Sequence, residues 1–146
     1  MITFHRMQPE DLIQVSRLEA QTFTMPWSLD AYRRALGDEN TLYIVAKDGA
    51  HVVGSCGVRN ILSEGEITNV MVEEAYRGKS IGTSLLMRLL DEGEKIGIES
   101  FFLEVRCSNE PAIALYQKCG FRVEGVRKNL YEKPAEDGLV MWRRPA

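Results

Sequence analysis

Asn69-Val70-Met71-Val72-Glu73-Glu74-Ala75-Tyr76-Arg77-Gly78-Lys79-Ser80-Ile81-Gly82-Thr83 decides how this chain is read. The stretch runs from a strand through a polar loop into a helix start. Free backbone N–H groups at a helix N-terminus, backed by the helix dipole, attract anions. Gly78 and Gly82 let a ligand approach the backbone closely, and Arg77 and Lys79 add positive charge. The stretch is no Walker loop, because no glycine stands five residues before Gly78. It is no GxGxxG turn either, and the acidic residue that would follow such a turn is absent. An ordinary glycine-containing turn with solvated charges fits the same residues, so the flanking sequence must decide.

Upstream, Ile2–Arg6 alternates as a short strand. Pro9–Thr22 reads as a helix with Pro9 in its first turn and Leu12, Val15, Leu18 and Ala20 as its apolar stripe. Pro26-Trp27-Ser28 breaks the chain, and Ser28 caps a second helix, Leu29–Leu36, which Gly37 ends. Three strands follow, Thr41–Lys47, His51–Arg59 and Glu66–Val72, turning at Asp48-Gly49 and at Ser63-Glu64-Gly65. Downstream, Thr83–Lys95 presents Leu85, Leu86, Leu89, Leu90 and Ile96 on one helical face, and Gly97 ends it. Ser100–Val105 is a strand. Asn109 caps the helix Pro111–Cys119, with Gly120 past its end. Phe121–Val126 and Leu139–Trp142 are the last strands. The order β α α β β β α β α β β predicts an α/β (α+β) fold with helices flanking one mixed, mostly antiparallel sheet.

The 146 residues, 45% hydrophobic and 27% charged, make one domain spanning 1–146. A net charge of −3 argues against bulk nucleic-acid binding. No apolar run approaches the roughly 18 residues of a membrane span, and no signal peptide precedes the first strand, so a cytoplasmic location is expected. Cys56, Cys107 and Cys119 are odd in number and form no CxxC pair, which argues against a disulfide framework or structural zinc site. They read as buried thiols, and no metal is expected.

With Asn109, Ala112-Ile113-Ala114-Leu115-Tyr116 and Gly120-Phe121 placed beside Arg77-Gly78-Lys79-Ser80-Ile81-Gly82, the chain resembles the GNAT N-acetyltransferases. Their cofactor loop reads Arg/Gln-x-x-Gly-x-Gly/Ala at a helix start. The likeness covers essentially the whole chain. Pro26-Trp27-Ser28, Leu103-Glu104-Val105-Arg106 with Ser108-Asn109, and Arg127-Lys128-Asn129-Leu130-Tyr131 narrow it to the type that acetylates a ribosomal-protein alanine. That resemblance implies acetyl-CoA as the donor. It implies as acceptor the N-terminal amine of a protein, that of the eighteenth small-subunit ribosomal protein. The alternatives are a lysine or small-molecule acetyltransferase, or a non-catalytic acetyl-CoA sensor. Glu104 and Tyr116 argue against a sensor, which has no need of them.

By the same resemblance the donor lies along Arg77, Gly78, Lys79, Ser80, Ile81, Gly82 and Thr83. Val70, Met71 and Val72 contribute backbone N–H groups freed by a bulge, and Asn109 touches the donor while capping its helix. Ser80 stands where the family has glycine. It is tolerated at negative φ and costs on the order of 1 kcal/mol at positive φ. Glu104 is the expected proton acceptor; the alternative is a structural ion-pair partner for Arg106 or Arg127. Tyr116 is the expected proton donor to the leaving thiolate, or a core-packing ring. Trp27, Tyr32 and Tyr131 are candidates for the acceptor groove, or aromatic packing. Glu64, Glu73 and Glu74 could draw in a basic tail, or be a solvated face. Neither Cys107 nor Cys119 has the setting of a nucleophile, so transfer is direct.

Overall fold

The computed structural model describes residues 1–145. Seven strands form one sheet: β1 (Ile2–Arg6), β2 (Thr41–Asp48), β3 (His51–Ile61), β4 (Glu64–Val72), β5 (Ser100–Arg106), β6 (Arg122–Glu132) and β7 (Ala135–Arg143). Four helices flank it: α1 (Leu12–Thr22), α2 (Leu29–Leu36), α3 (Ile81–Lys95) and α4 (Glu110–Lys118). The strand order is β1-β2-β3-β4-β5-β7-β6. All neighbours run antiparallel except β4 and β5. Among the described residues no helix is long and apolar enough to cross a membrane.

Local chemistry explains the helix ends. Ser28 Oγ accepts the Ala31 N–H at 3.1 Å, and Asn109 Oδ1 accepts that of Ala112 at 3.3 Å. Both α3 and α4 finish on a left-handed glycine. Gly97 (φ 95°) lets the Ile98 N–H reach Gly93 O, and Gly120 (φ 94°) lets the Phe121 N–H reach Tyr116 O, each at 3.0 Å.

Two layers sit on opposite faces of the sheet. Leu85, Leu86, Leu89 and Leu90 of α3 are wholly buried against Ile44, Val53, Phe101, Leu103 and Met141. On the other face, Val15 and Leu18 of α1 and Tyr32 of α2 pack on Tyr43, Val45 and Met71. This second layer also buries Asp11 and Glu19.

Several expected details change. Pro9–Asp11 is a separate 3-10 turn, so α1 starts at Leu12. Glu19, not Ala20, occupies the buried stripe of α1. The β3–β4 turn sits on Leu62 (φ 52°) and Ser63 (φ 72°) rather than on Ser63-Glu64-Gly65. Gly65 lies within β4, where any Cβ would meet Val58 at 2.8 Å. Ile98, not Ile96, closes the core beyond α3. Strands β6 and β7 extend to meet at residues 132 and 135, well past the expected ends. Cys107 is exposed.

Candidate active site

Strands β4 and β5 pair only at their beginnings, Glu64–Glu66 against Ser100–Phe102. Beyond these residues the strands part, and the facing edges of Ile67–Val72 and Leu103–Arg106 have no strand partner in each other. The sheet thus opens a cleft at its middle. A bulge lies on the β4 side. Ser55 pairs with Met71 and Gly57 with Thr68, so Asn69 and Val70 together oppose Cys56. Asn69 takes the left-handed conformation, φ 56°. A bulge re-aims the backbone of its strand, here at Asn69 and Val70, while Met71 and Val72 are back in register with Ser55 and Gly54.

The chain leaves β4 through a 3-10 turn, Glu74–Tyr76, and enters α3 at Ile81. Ser80 is the residue before that helix, in left-handed conformation with φ 62° and no side-chain cap bond. Of the two backbone states open to it, the costlier one is adopted. The N–H groups of Ile81, Gly82 and Thr83 consequently begin the helix without a capping side chain. Arg77 Nε donates to Val72 O at 3.1 Å, and Lys79 Nζ lies 5.3 Å from the Tyr76 ring centre, so both cations stay beside the loop. A Cβ on Gly82 would approach Leu115 Cδ2 to 3.3 Å. Backbone donors, flanking cations and small residues fit a diphosphate here.

Tyr116 projects from α4 into the apolar layer, 7% exposed. The Gly120 turn explains its fixed position. The same turn that ends α4 brings Phe121 back onto Tyr116, ring centres 6.0 Å apart. Burial, aided by neighbouring Cys56 and Tyr131, pushes the phenol well above its ordinary pKa. It is therefore a neutral O–H at physiological pH.

Glu104 lies on the opposite face of β5, because alternation buries Phe101, Leu103 and Val105 toward α3. Its Oε2 receives Arg127 Nη1 at 2.5 Å. Arg127 is the partner; Arg106 is engaged elsewhere, with Glu136 at 3.2 Å and the carbonyls of Lys133 and Pro134. The Arg106 guanidinium also covers the Tyr131 ring at 4.4 Å. Burial raises the Tyr131 pKa, and the charge of Glu104 raises it further. Tyr131 is thereby fixed beneath Arg106, with Glu104 the charge that bears on it most.

The other candidates divide. Trp27 is half-buried and packs on Tyr32, ring centres 5.3 Å apart. Tyr32 is 1% exposed, so it fills the helix pair and offers no groove wall. Glu73 pairs with His51 at 2.7 Å. Glu64 begins β4 while Glu73 follows its end, roughly 30 Å of extended chain away. The three glutamates therefore make no single patch. All three thiols are shifted up: Cys56 and Cys119 by burial, Cys107 by its bond to Glu136. A nucleophilic thiolate has no support. Among the described residues no group of side chains could hold a metal ion.

Glu19 and Asn69 escape the sequence reading. Glu19 is buried and binds Tyr32, Asn69 and the Trp27 N–H. A signal is present: position 19 lies seven after Leu12 and four after Val15, on the apolar face, where a carboxylate is out of place.

The fold and cleft define a class. The family model of the Acetyltransferase (GNAT) family matches residues 12–121, and the chain belongs to that family. It is 31% identical to the [ribosomal protein bS18]-alanine N-acetyltransferase of Escherichia coli K12 over 97% of this chain and 96% of that one. It is 34% identical to the N-alpha-acetyltransferase RimI of Mycobacterium tuberculosis over 97% and 92%. The crystal structure of the Escherichia coli ribosomal-protein-S18-alanine N-acetyltransferase superposes with a TM-score of 0.90 at 29% identity, covering 100% and 96%.

Proposed function

We propose that the protein transfers the acetyl group of acetyl-CoA to the N-terminal α-amine of a protein, the alanine of ribosomal protein bS18. The carrying observation is the cleft between β4 and β5, with Tyr116 on one face of the sheet and Glu104 on the other. Donor and acceptor then meet from opposite sides. The names of the relatives support the acceptor. On this reading the protein works in the cytoplasm, with no membrane or nucleic-acid partner.

The donor diphosphate rests on the N–H groups at the start of α3, flanked by Arg77, Gly78 and Lys79, with Asn109 beside it. The backbone of Val70, Met71 and Val72 holds the thioester end. The acceptor enters beside Trp27 and Tyr131. Its nitrogen attacks the thioester carbon; the C–N bond forms and the C–S bond breaks. Glu104, directly or through a water, takes the proton lost by the amine. Tyr116 gives its proton to the departing sulfur. Burial keeps Tyr116 protonated and so able to donate, and it also disfavours a bare thiolate beside it. The base has a light task. An α-amine of pKa near 8 is roughly one-tenth neutral at pH 7, whereas a lysine is about 0.04% neutral.

The test is the pH–rate profile of Glu104→Gln with an alanine-initiated peptide. Its loss in kcat/KM should shrink as pH rises and the amine deprotonates unaided. A loss independent of pH would move the base elsewhere.

A further inference from the structure

Two carboxylates are buried in the α1–α2 layer, and they are held differently. Asp11, 2% exposed, has a cation: Lys47 Nζ lies 2.7 Å from its Oδ1. Glu19, also 2% exposed, has no cationic partner among the described residues. It is held by neutral donors alone: Trp27 N–H at 3.0 Å, Tyr32 O–H at 2.5 Å and Asn69 Nδ2 at 3.1 Å. Burying a charge so is costly unless its hydrogen bonds are specific. An aliphatic side chain would fill the same stripe position without that cost.

The three donors come from three segments. Trp27 belongs to the corner between α1 and α2, Tyr32 to α2, and Asn69 to the β4 bulge. A left-handed non-glycine residue in a strand persists where its surroundings fix it. The side-chain bond that Asn69 makes is the one from Nδ2 to Glu19. Two buried side-chain atoms lack any hydrogen-bond partner among the described residues, Ser55 Oγ and Asn69 Oδ1. Both flank this bulge, since Ser55 pairs with Met71. A buried polar atom without a partner calls for a reason, such as stored strain, a role at a functional site, or a bound water or ion.

We propose that Glu19 is a positioning residue for the donor seat. Its carboxylate locks the Asn69 bulge, and with it the N–H groups of Val70, Met71 and Val72, to the corner that borders the acceptor. The proposal rests on the reading that this bulge seats the donor. It adds that the seat is set from the acceptor layer, through a residue that touches neither substrate.

The test is a double-mutant cycle on coenzyme A affinity, measured by calorimetry well below the Tm of every variant. Glu19→Gln keeps the volume but turns an amide N–H toward a backbone donor. Asn69→Gly removes the tether while leaving the left-handed backbone accessible. Each should weaken coenzyme A by about tenfold, the scale of a lost hydrogen bond to a charged group. The double variant should be no worse than either single one. The KM for acetyl-CoA should rise more than kcat falls. A lowered Tm with affinity within about twofold of wild type, or losses that add in the double variant, would overturn the proposal. If Glu19→Gln does not fold, Asn69→Gly alone decides, because it leaves Glu19 two of its donors. Gly82→Val in the same titration separates the two readings. Weakened binding there with none in the Glu19 cycle leaves the donor seat standing and removes Glu19 from it. Coenzyme A binding does not depend on which amine is acetylated, so the acceptor assignment is tested apart.

Discussion

The two helical layers of this protein hold the same sheet by different means. Beneath α3 the packing is almost wholly apolar, with four consecutive-turn leucines at zero exposure. Beneath α1 and α2 the packing is aromatic and hydrogen-bonded: Trp27, Tyr32 and Tyr43 surround Glu19, and Tyr43 is pushed up to about 12 chiefly by burial. Shape alone positions the first layer, whereas directional bonds position the second. The difference teaches where stability and specificity reside. On the proposed function, the α3 layer supplies the packed wall and the helix start for the donor. On the same reading the α1–α2 layer borders the acceptor, and it carries the polar network.

The largest effect should come from Tyr116, the proposed proton donor inside the apolar layer. Tyr116→Phe keeps the ring against Phe121 and removes only the hydroxyl. We expect kcat to fall about 10²–10⁴-fold with acetyl-CoA, and less with thioesters of more acidic thiols. Full kcat in this variant would make Tyr116 part of the wall and nothing more. Next is Leu89→Ala, a pure packing change at zero exposure. It should cost about 2–5 kcal/mol in denaturant unfolding, with the KM for acetyl-CoA unchanged below the melting transition. A KM that rises as in Glu19→Gln would erase the proposed division between the layers.

A smaller effect attaches to Ser80. At φ 62° glycine is the unstrained residue, so Ser80→Gly removes strain of on the order of 1 kcal/mol, offset in part by added freedom of the unfolded chain. A slightly higher Tm and an equal or lower KM for acetyl-CoA are expected. A large loss of donor affinity would instead make the Ser80 hydroxyl a phosphate contact. Smallest is Glu136→Gln. Hydrogen bonds from Ser108, and then from Cys107 and Arg106, hold that carboxyl down to about 2. Its folded pKa is depressed, so its stabilisation is complete above the ordinary value and fades as pH falls toward about 2. The Tm gap between wild type and Glu136→Gln should therefore be widest near neutral pH and narrow below about pH 4. A gap that stays constant would show that Glu136 acts by packing.

What the sequence discloses follows the same division. The helix ends are legible because their causes are local: Ser28 and Asn109 cap, Gly97 and Gly120 terminate. The donor loop is legible because glycine, cations and a helix start stand together. The reach of β6 is not, since its outward residues are polar and its pairing partner lies across a hairpin. The bulge enters only through the family resemblance, and its left-handed residue Asn69 not at all, because Glu66–Val72 reads as an uninterrupted strand until its register with β3 is known. Tyr32 and Trp27 look alike as aromatic candidates. Only packing separates the buried ring from the partly exposed one. Glu104 and Arg127 are 23 residues apart, so the sequence offers Arg127 beside Arg106 as a partner, and only the structure chooses between them.

The central claim is that the two layers bring acetyl-CoA to a protein α-amine. The most direct measurement uses one peptide that carries both a free N-terminal alanine and an internal lysine. It is incubated with acetyl-CoA near neutral pH, and fragment mass spectrometry locates the acetyl group. The account predicts acetylation at the N-terminal nitrogen with the lysine left free. Acetyl found mainly on the lysine ε-nitrogen, with the terminal alanine unmodified, would contradict it.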